Sequence, residues 1–166
     1  MENKFSELVT YFELLASSHV KIRHSEANKH FYLFEIDEVL DGLRNEINYP
    51  AFIMEGYDFG YKDNLSDNEM KDRNAAFILL DHVDNLDDFG AMHEKWDELE
   101  AIGDDIIARM KYDKRQNEKI IRNLDVNSIE GTLIRADADN NVGIRFSFTI
   151  SSPQNLEVDK SKWSDI

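Results

Sequence analysis

The run Ala75-Ala76-Phe77-Ile78-Leu79-Leu80 constrains this chain more than any other segment. A continuously apolar stretch bounded by polar residues predicts a strand covered on both faces, and therefore one near the middle of a sheet. That strand is expected over Ala75–Val83, with Ala51–Asp58 as its partner in a hairpin or near-hairpin. A second hairpin closes the chain. Val142, Ile144, Phe146, Phe148 and Ile150 alternate with Gly143, Arg145, Ser147, Thr149 and Ser151, a period of two that buries one face and wets the other. Its expected partner is Ile129–Ala136, joined through Asp137-Ala138-Asp139-Asn140-Asn141, residues that tolerate left-handed backbone in turns.

Helical spacing marks the rest. Phe5, Leu8, Val9, Phe12 and Leu15 trace one face of a helix from about Asn3 to Ala16. Leu33, Ile36, Leu40, Leu43 and Ile47 predict a second, ending near Ile47 and starting between Lys29 and Glu35, although His30-Phe31-Tyr32-Leu33-Phe34 also reads as a strand by its aromatic content. Asn48-Tyr49-Pro50 stops it, since proline has no amide donor and restrains the residue before it. The clearest helix carries Phe89, Met92, Trp96, Leu99, Ile102, Ile106 and Met110 on one stripe, with Asp84 or Asn85 as its cap. It begins acidic and ends basic, which complements the helix dipole. Ile120, Ile121 and Leu124 either extend it or form a short separate helix.

This order predicts an α+β domain, an antiparallel sheet of about four strands with two or three helices packed on one face. Residues 1–152 form that single domain and 153–166 a C-terminal arm. The polar stretch Lys62–Asn74 is read as a long loop, with a possible helical turn at Ser66-Asp67-Asn68-Glu69.

Composition argues against several chemistries. There are 34 acidic and 19 basic side chains, a net charge of −15, which disfavours phosphate-coated partners. The one basic stretch, Arg109–Arg122, is diluted by Asp113 and Glu118, so it reads as a helix end or protein-contact patch and no nucleic-acid partner is expected. With no cysteine there is no disulfide, thiolate metal site or thiol nucleophile. The seven glycines are dispersed and form no phosphate-binding loop. Asp81-His82-Val83-Asp84 with Asp87, Asp88 and His93 is the densest candidate metal cluster, but a strand end followed by a helix start uses the same residues. Asp137–Asn141 lacks a calcium loop's later positions, having Val142 and Phe148 where glycine and glutamate are needed. Glu35, Asp37, Glu38 and Asp41 read as a solvated helix face, and no nucleophile-elbow pattern occurs. No catalytic residue, metal or cofactor is expected. The first residues lack a secretory leader's pattern, and no apolar run reaches the roughly 20 residues needed to span a bilayer. A soluble, cytoplasmic protein without membrane partners is expected.

The helices through Ile47, the Ala51–Asp58 and Ala75–Val83 strands around a long polar loop, the Phe89–Met110 helix and the Val142–Ile150 strand together resemble the element order of tail-terminator and tail-completion proteins of tailed phages and prophages. The extra Ile129–Ala136 strand and the polar tail depart from that pattern. The resemblance implies a ring-forming, non-enzymatic subunit, virion-associated, whose sheet edges and Lys62–Asn74 loop contact neighbouring subunits or the tail tube. It carries over no catalytic residue.

Protein–protein contact is therefore the expected activity, as a homo-oligomer or with tail-assembly components. The expected contact residues are Asp63, Asp67, Glu69 and Lys71 in the loop, Asp97, Glu98 and Glu100 on the acidic helix, and Trp163 in the arm. Trp163 is either a docking anchor or packs back on its own domain. Two alternatives stay open: a monomeric acidic module, such as an inhibitor or immunity-type protein, that occupies a basic surface, and a metal-dependent enzyme centred on His82 and Asp84.

Overall fold

A computed structural model describes residues 4–42, 47–63 and 69–165. In chain order the elements are α1 (Phe5–Ser18), β1 (Phe31–Leu33), α2 (Ile36–Asp41), β2 (Ala51–Met54), β3 (Asp58–Lys62), β4 (Met70–His82), α3 (Phe89–Arg115), β5 (Leu124–Ala136) and β6 (Asn141–Pro153). The class is α+β. Among the described residues the sheet, however, has six strands and is mixed, in the order β1-β2-β4-β6-β5 with β3 also on β4. β1 runs parallel to β2, and every other pairing is antiparallel.

The extra strands come from two segments whose local pattern was overridden. The aromatic run at Phe31–Leu33 pairs with Phe52–Met54 instead of opening a helix, because Phe31 and Phe52 stack face to face in the core at 5.8 Å. Among the described residues the predicted helix is α2, six residues long and ended by Gly42 at φ +102°, a conformation costly for any residue with a Cβ. Ile47 lies outside the helix, and Leu43 lies outside the described residues. The second segment is the supposed loop. Lys62 closes β3 and Met70–Asn74 begin β4, so much of Lys62–Asn74 is strand; Ser66, Asp67 and Asn68 lie outside the described residues.

β2 and β3 follow one edge of β4 in succession. Met54 faces Phe77 and Asp58 faces Asn74, so four steps along the outer chain match three along β4. That is a bulge. The predicted β5–β6 hairpin is present and longer than expected, with its own irregularity between Asp125 and Glu130. Ile120 and Ile121 neither extend α3 nor form a helix; they are buried in the turns that lead into β5.

Both faces of the sheet are covered, not one. α1 and α3 pack on one side. Phe12 of α1, fully buried, meets Phe52, Phe77 and Phe148 at 6.0, 5.7 and 5.5 Å. α3 comes so close to β6 that a Cβ on Gly103 would lie 2.1 Å from the ring of Phe146. Its cap is Asp88, which accepts the amide hydrogen of Ala91, and not Asp84 or Asn85. On the opposite side α2 places Val39 over Ala51, Ile53, Ile78, Leu80 and Ile134. The continuous apolar run of β4 reflects this double cover: Ala75, Phe77 and Leu79 belong to one core, Ile78 and Leu80 to the other.

Candidate functional site

Two polar networks hold these layers together, each built on a buried carboxylate. Glu55, 2% exposed, accepts from Arg145 Nε at 2.6 Å and from the amide of Ile36 at 3.0 Å, so it fastens the start of α2 to the middle of the sheet. Between the helices, the Tyr11 hydroxyl donates to Asp113 Oδ2 at 2.9 Å, and Arg109 Nε donates to both oxygens of that carboxylate at 2.8 and 3.0 Å. Burial first, then the Asp113 carboxylate, pushes the Tyr11 phenol far above its ordinary range. Each group in these networks is occupied by a structural partner. They are braces.

The proposed metal cluster is also dispersed among structural contacts. Asp81 pairs with Lys95 at 3.1 Å, His82 Nδ1 lies 3.1 Å from the carbonyl oxygen of Asp139, and Asp88 is the helix cap. Among the described residues, no three His, Cys, Asp or Glu side chains are grouped to hold a metal ion. Nor is any described helix long and apolar enough to cross a membrane.

The unexplained surface is the hairpin of β3 and the first part of β4. Its alternation is simple. Phe59 and Tyr61 leave one face with Lys71 and Arg73, while Asp58, Gly60 and Lys62 leave the other with Asp72 and Asn74. All five residues of β3 are exposed, including Phe59 at 55% and Tyr61 at 50%. The ammonium of Lys71 lies 4.1 Å from the Phe59 ring centroid and 5.3 Å from that of Tyr61, a cation–π arrangement that holds both rings in place. Tyr57 extends the aromatic row, 6.4 Å from Phe59 and 5.5 Å from Phe5 of α1. Behind it sits Arg73, 2% exposed, which donates to Ser152 Oγ at 2.6 Å and faces Tyr57 at 6.0 Å. Its Nε has no hydrogen-bond partner among the described residues.

On the other face Lys62 pairs with Asp72, which also accepts from Ser151 Oγ at 2.6 Å. The hydrogen bonds from Lys62 and Ser151 hold the Asp72 carboxyl below the usual carboxylate range, and Asp72 in turn raises Lys62. Asn74 and Thr149 bond each other at 3.0 Å beside them. These side chains line an open, polar hollow of about 330 Å³. Lys62, Asp72, Ser151, Asn74 and Thr149 thus satisfy one another.

The expected contact residues fall in three places. Asp63, Glu69 and Lys71 are at this hairpin: Asp63 is exposed just beyond β3, the carbonyl of Glu69 accepts from the Gln154 amide at 2.9 Å, and Lys71 is the cation over the aromatic rings. Asp67 lies outside the described residues. Asp97, Glu98 and Glu100 are exposed on α3, where Glu98 pairs with Lys95 at 3.1 Å. Trp163 is 60% exposed and follows a short 3-10 turn at Lys160–Lys162. Phe59 and Tyr61 were missed. Their signal was present in Asp58-Phe59-Gly60-Tyr61-Lys62, aromatic residues alternating with polar ones, and was obscured by assigning the flanks to a strand end and a loop.

No protein-family model, no curated protein and no solved structure matches this chain.

Proposed function

We propose that this chain is a non-enzymatic assembly protein that self-associates through protein–protein contacts, with the β3–β4 hairpin as its contact element. One observation carries the reading: an edge strand of five consecutive exposed residues presents two half-exposed aromatic rings fixed by a lysine. Exposed edges template pairing with another chain, and aromatic residues are enriched at the centres of protein interfaces. A tail-terminator-like subunit is the most specific form of this proposal and rests on the resemblance in element order. Light scattering across micromolar to millimolar concentrations tests it. The wild-type mass should rise with concentration, and the double variant Phe59→Ser/Tyr61→Ser should remain monomeric while keeping its circular-dichroism spectrum. A wild-type chain that stays monomeric throughout would overturn it.

A second reading has its own support. Glu94, Asp97, Glu100 and Asp104 are exposed on α3 and have no ion-pair partner among the described residues. Like charges three or four residues apart repel along a helix. A cationic protein surface would relieve that repulsion, as an acidic inhibitor or immunity-type module requires. Salt-insensitive binding to such a partner would argue against this mechanism.

A further inference from the structure

Among the described residues the sheet has three open edges, and they are not equivalent. β1 is three residues long, and β5 is interrupted between Asp125 and Glu130 and carries Glu130 and Arg135. Short strands, bulges and charged residues are the usual protections against edge-to-edge pairing. β3 is longer than β1 and has no break: Asp58–Lys62 pairs with β4 in continuous register, its charges Asp58 and Lys62 stand at its two ends and leave Phe59, Gly60 and Tyr61 between them, and β1 shields the preceding strand only opposite Phe52–Met54. Its outer edge is therefore open among the described residues.

The sequence of that edge is self-complementary. An antiparallel pairing of β3 with a second copy of itself, two-fold symmetric about Gly60, sets Asp58 opposite Lys62, Phe59 opposite Tyr61, and Gly60 opposite its own equivalent. Each end then pairs a carboxylate with an ammonium, each aromatic meets an aromatic, and two glycines meet at the centre. Opposite charges and aromatic pairs directly across a ladder are the favourable cross-strand combinations. Slipping the register by two residues breaks the match by setting Gly60 opposite Asp58 or Lys62 in both directions. Between positions 58 and 74 both signs of charge are present, Lys62, Lys71 and Arg73 against Asp58, Asp63, Asp67, Glu69 and Asp72, so the fit to a second copy rests on where the charges stand and not on local neutrality. A Cβ added at Gly60 meets nothing within 4 Å, so neighbouring side chains leave that centre open.

We propose that two copies of this chain join through β3, antiparallel about Gly60, so that both sheets run on as one across a two-fold axis. This deepens the self-association reading and rests on it. The pairing is isologous: the same patch serves both copies, so the contact closes at two. Five residues per copy make a small interface, and the dimer is a weak one that fills as concentration rises.

The absence of native cysteine gives a clean test. Gly60→Cys, Lys62→Cys and Thr132→Cys are compared in the full chain under mild oxidation at a concentration where wild-type mass is measured in parallel. Directly opposed residues have Cβ atoms about 5 Å apart, whereas position 62 would lie about 13 Å from its equivalent, and Thr132 is on the far edge strand. Gly60→Cys should form covalent dimer at least about tenfold faster than either control. Charge exchange supplies the second arm. Asp58→Lys sets like charges face to face at both ends and should weaken the dimer by about tenfold, whereas the neutral Asp58→Asn, which loses the pair without the repulsion, should weaken it less; both leave the internal Lys62–Asp72 pair intact. A wild-type chain that self-associates while Gly60→Cys cross-links no faster than the controls, or an Asp58→Lys exchange that leaves affinity unchanged, overturns this pairing and leaves the assembly reading standing. A chain monomeric at every concentration overturns both.

Discussion

Tyr11, Asp113, Glu55 and Arg145 show how single buried groups hold the layers in place. Tyr11 is neutral when folded, and its proton is held beyond the ordinary phenol range by burial and by Asp113. A group whose folded pKa is raised adds stability that is complete below its unfolded value, near 10, and is lost as pH rises above it. Stability should therefore fall from about pH 10 upward, and Tyr11→Phe should flatten that part of the profile in urea melts. At neutral pH the same variant should cost about 1–2 kcal/mol, because a buried carboxylate loses a donor. Arg145→Leu should cost more, about 3 kcal/mol by denaturant unfolding, since Glu55 would be left buried beside only the Ile36 amide. Neither residue was legible as a brace beforehand. Arg145 was expected on a wet strand face; it lies half-buried beside Ile78 on the side that α2 packs against, and its carboxylate partner lies 90 positions earlier in the chain.

At the scale of elements, legibility followed how local the cause was. α1, α3 and the β5–β6 hairpin came from periodicity within one segment and a nearby turn, and all three are present. β1 failed because its partner β2 is non-local and its own spacing also fits a helix; parallel pairing and the stacking of Phe31 on Phe52 decided the matter. β3 failed for a different reason. Its alternation sat between two segments already assigned, and burial could not help because every residue in it is exposed. The acidic stripe of α3 was readable, and it makes a prediction of its own. The triple variant Asp97→Asn/Glu100→Gln/Asp104→Asn should raise stability by about 0.5–1 kcal/mol through relief of like-charge repulsion. A thermal melt that moves down instead would show those carboxylates are engaged within the fold.

For the whole molecule, charge and shape pull in opposite directions. A chain at −15 repels its own copies, while the hairpin mixes both signs of charge and presents aromatic rings. Salt screens the long-range term over about 10 Å at 0.1 M and acts less on contacts made at an interface. Sedimentation equilibrium should therefore show tighter self-association at 0.3 M salt than at 0.02 M; a weaker one would mean that cross-copy ion pairs dominate. The two-fold contact also bears on ring assembly. An isologous contact alone stops at a dimer, so a ring requires a second interface elsewhere on the subunit.

Amino-acid order alone settled the α+β class, the central position of Ala75–Leu80 and the closing hairpin, because these depend on periodicities of 2 and 3.6 that any chain displays locally. Tertiary structure decided which faces were covered, that Phe31–Leu33 is a strand, and that the polar stretch after β3 returns as an extension of β4. Those outcomes rest on partners distant along the chain, whose packing and hydrogen bonding outweigh the preferences of a short segment.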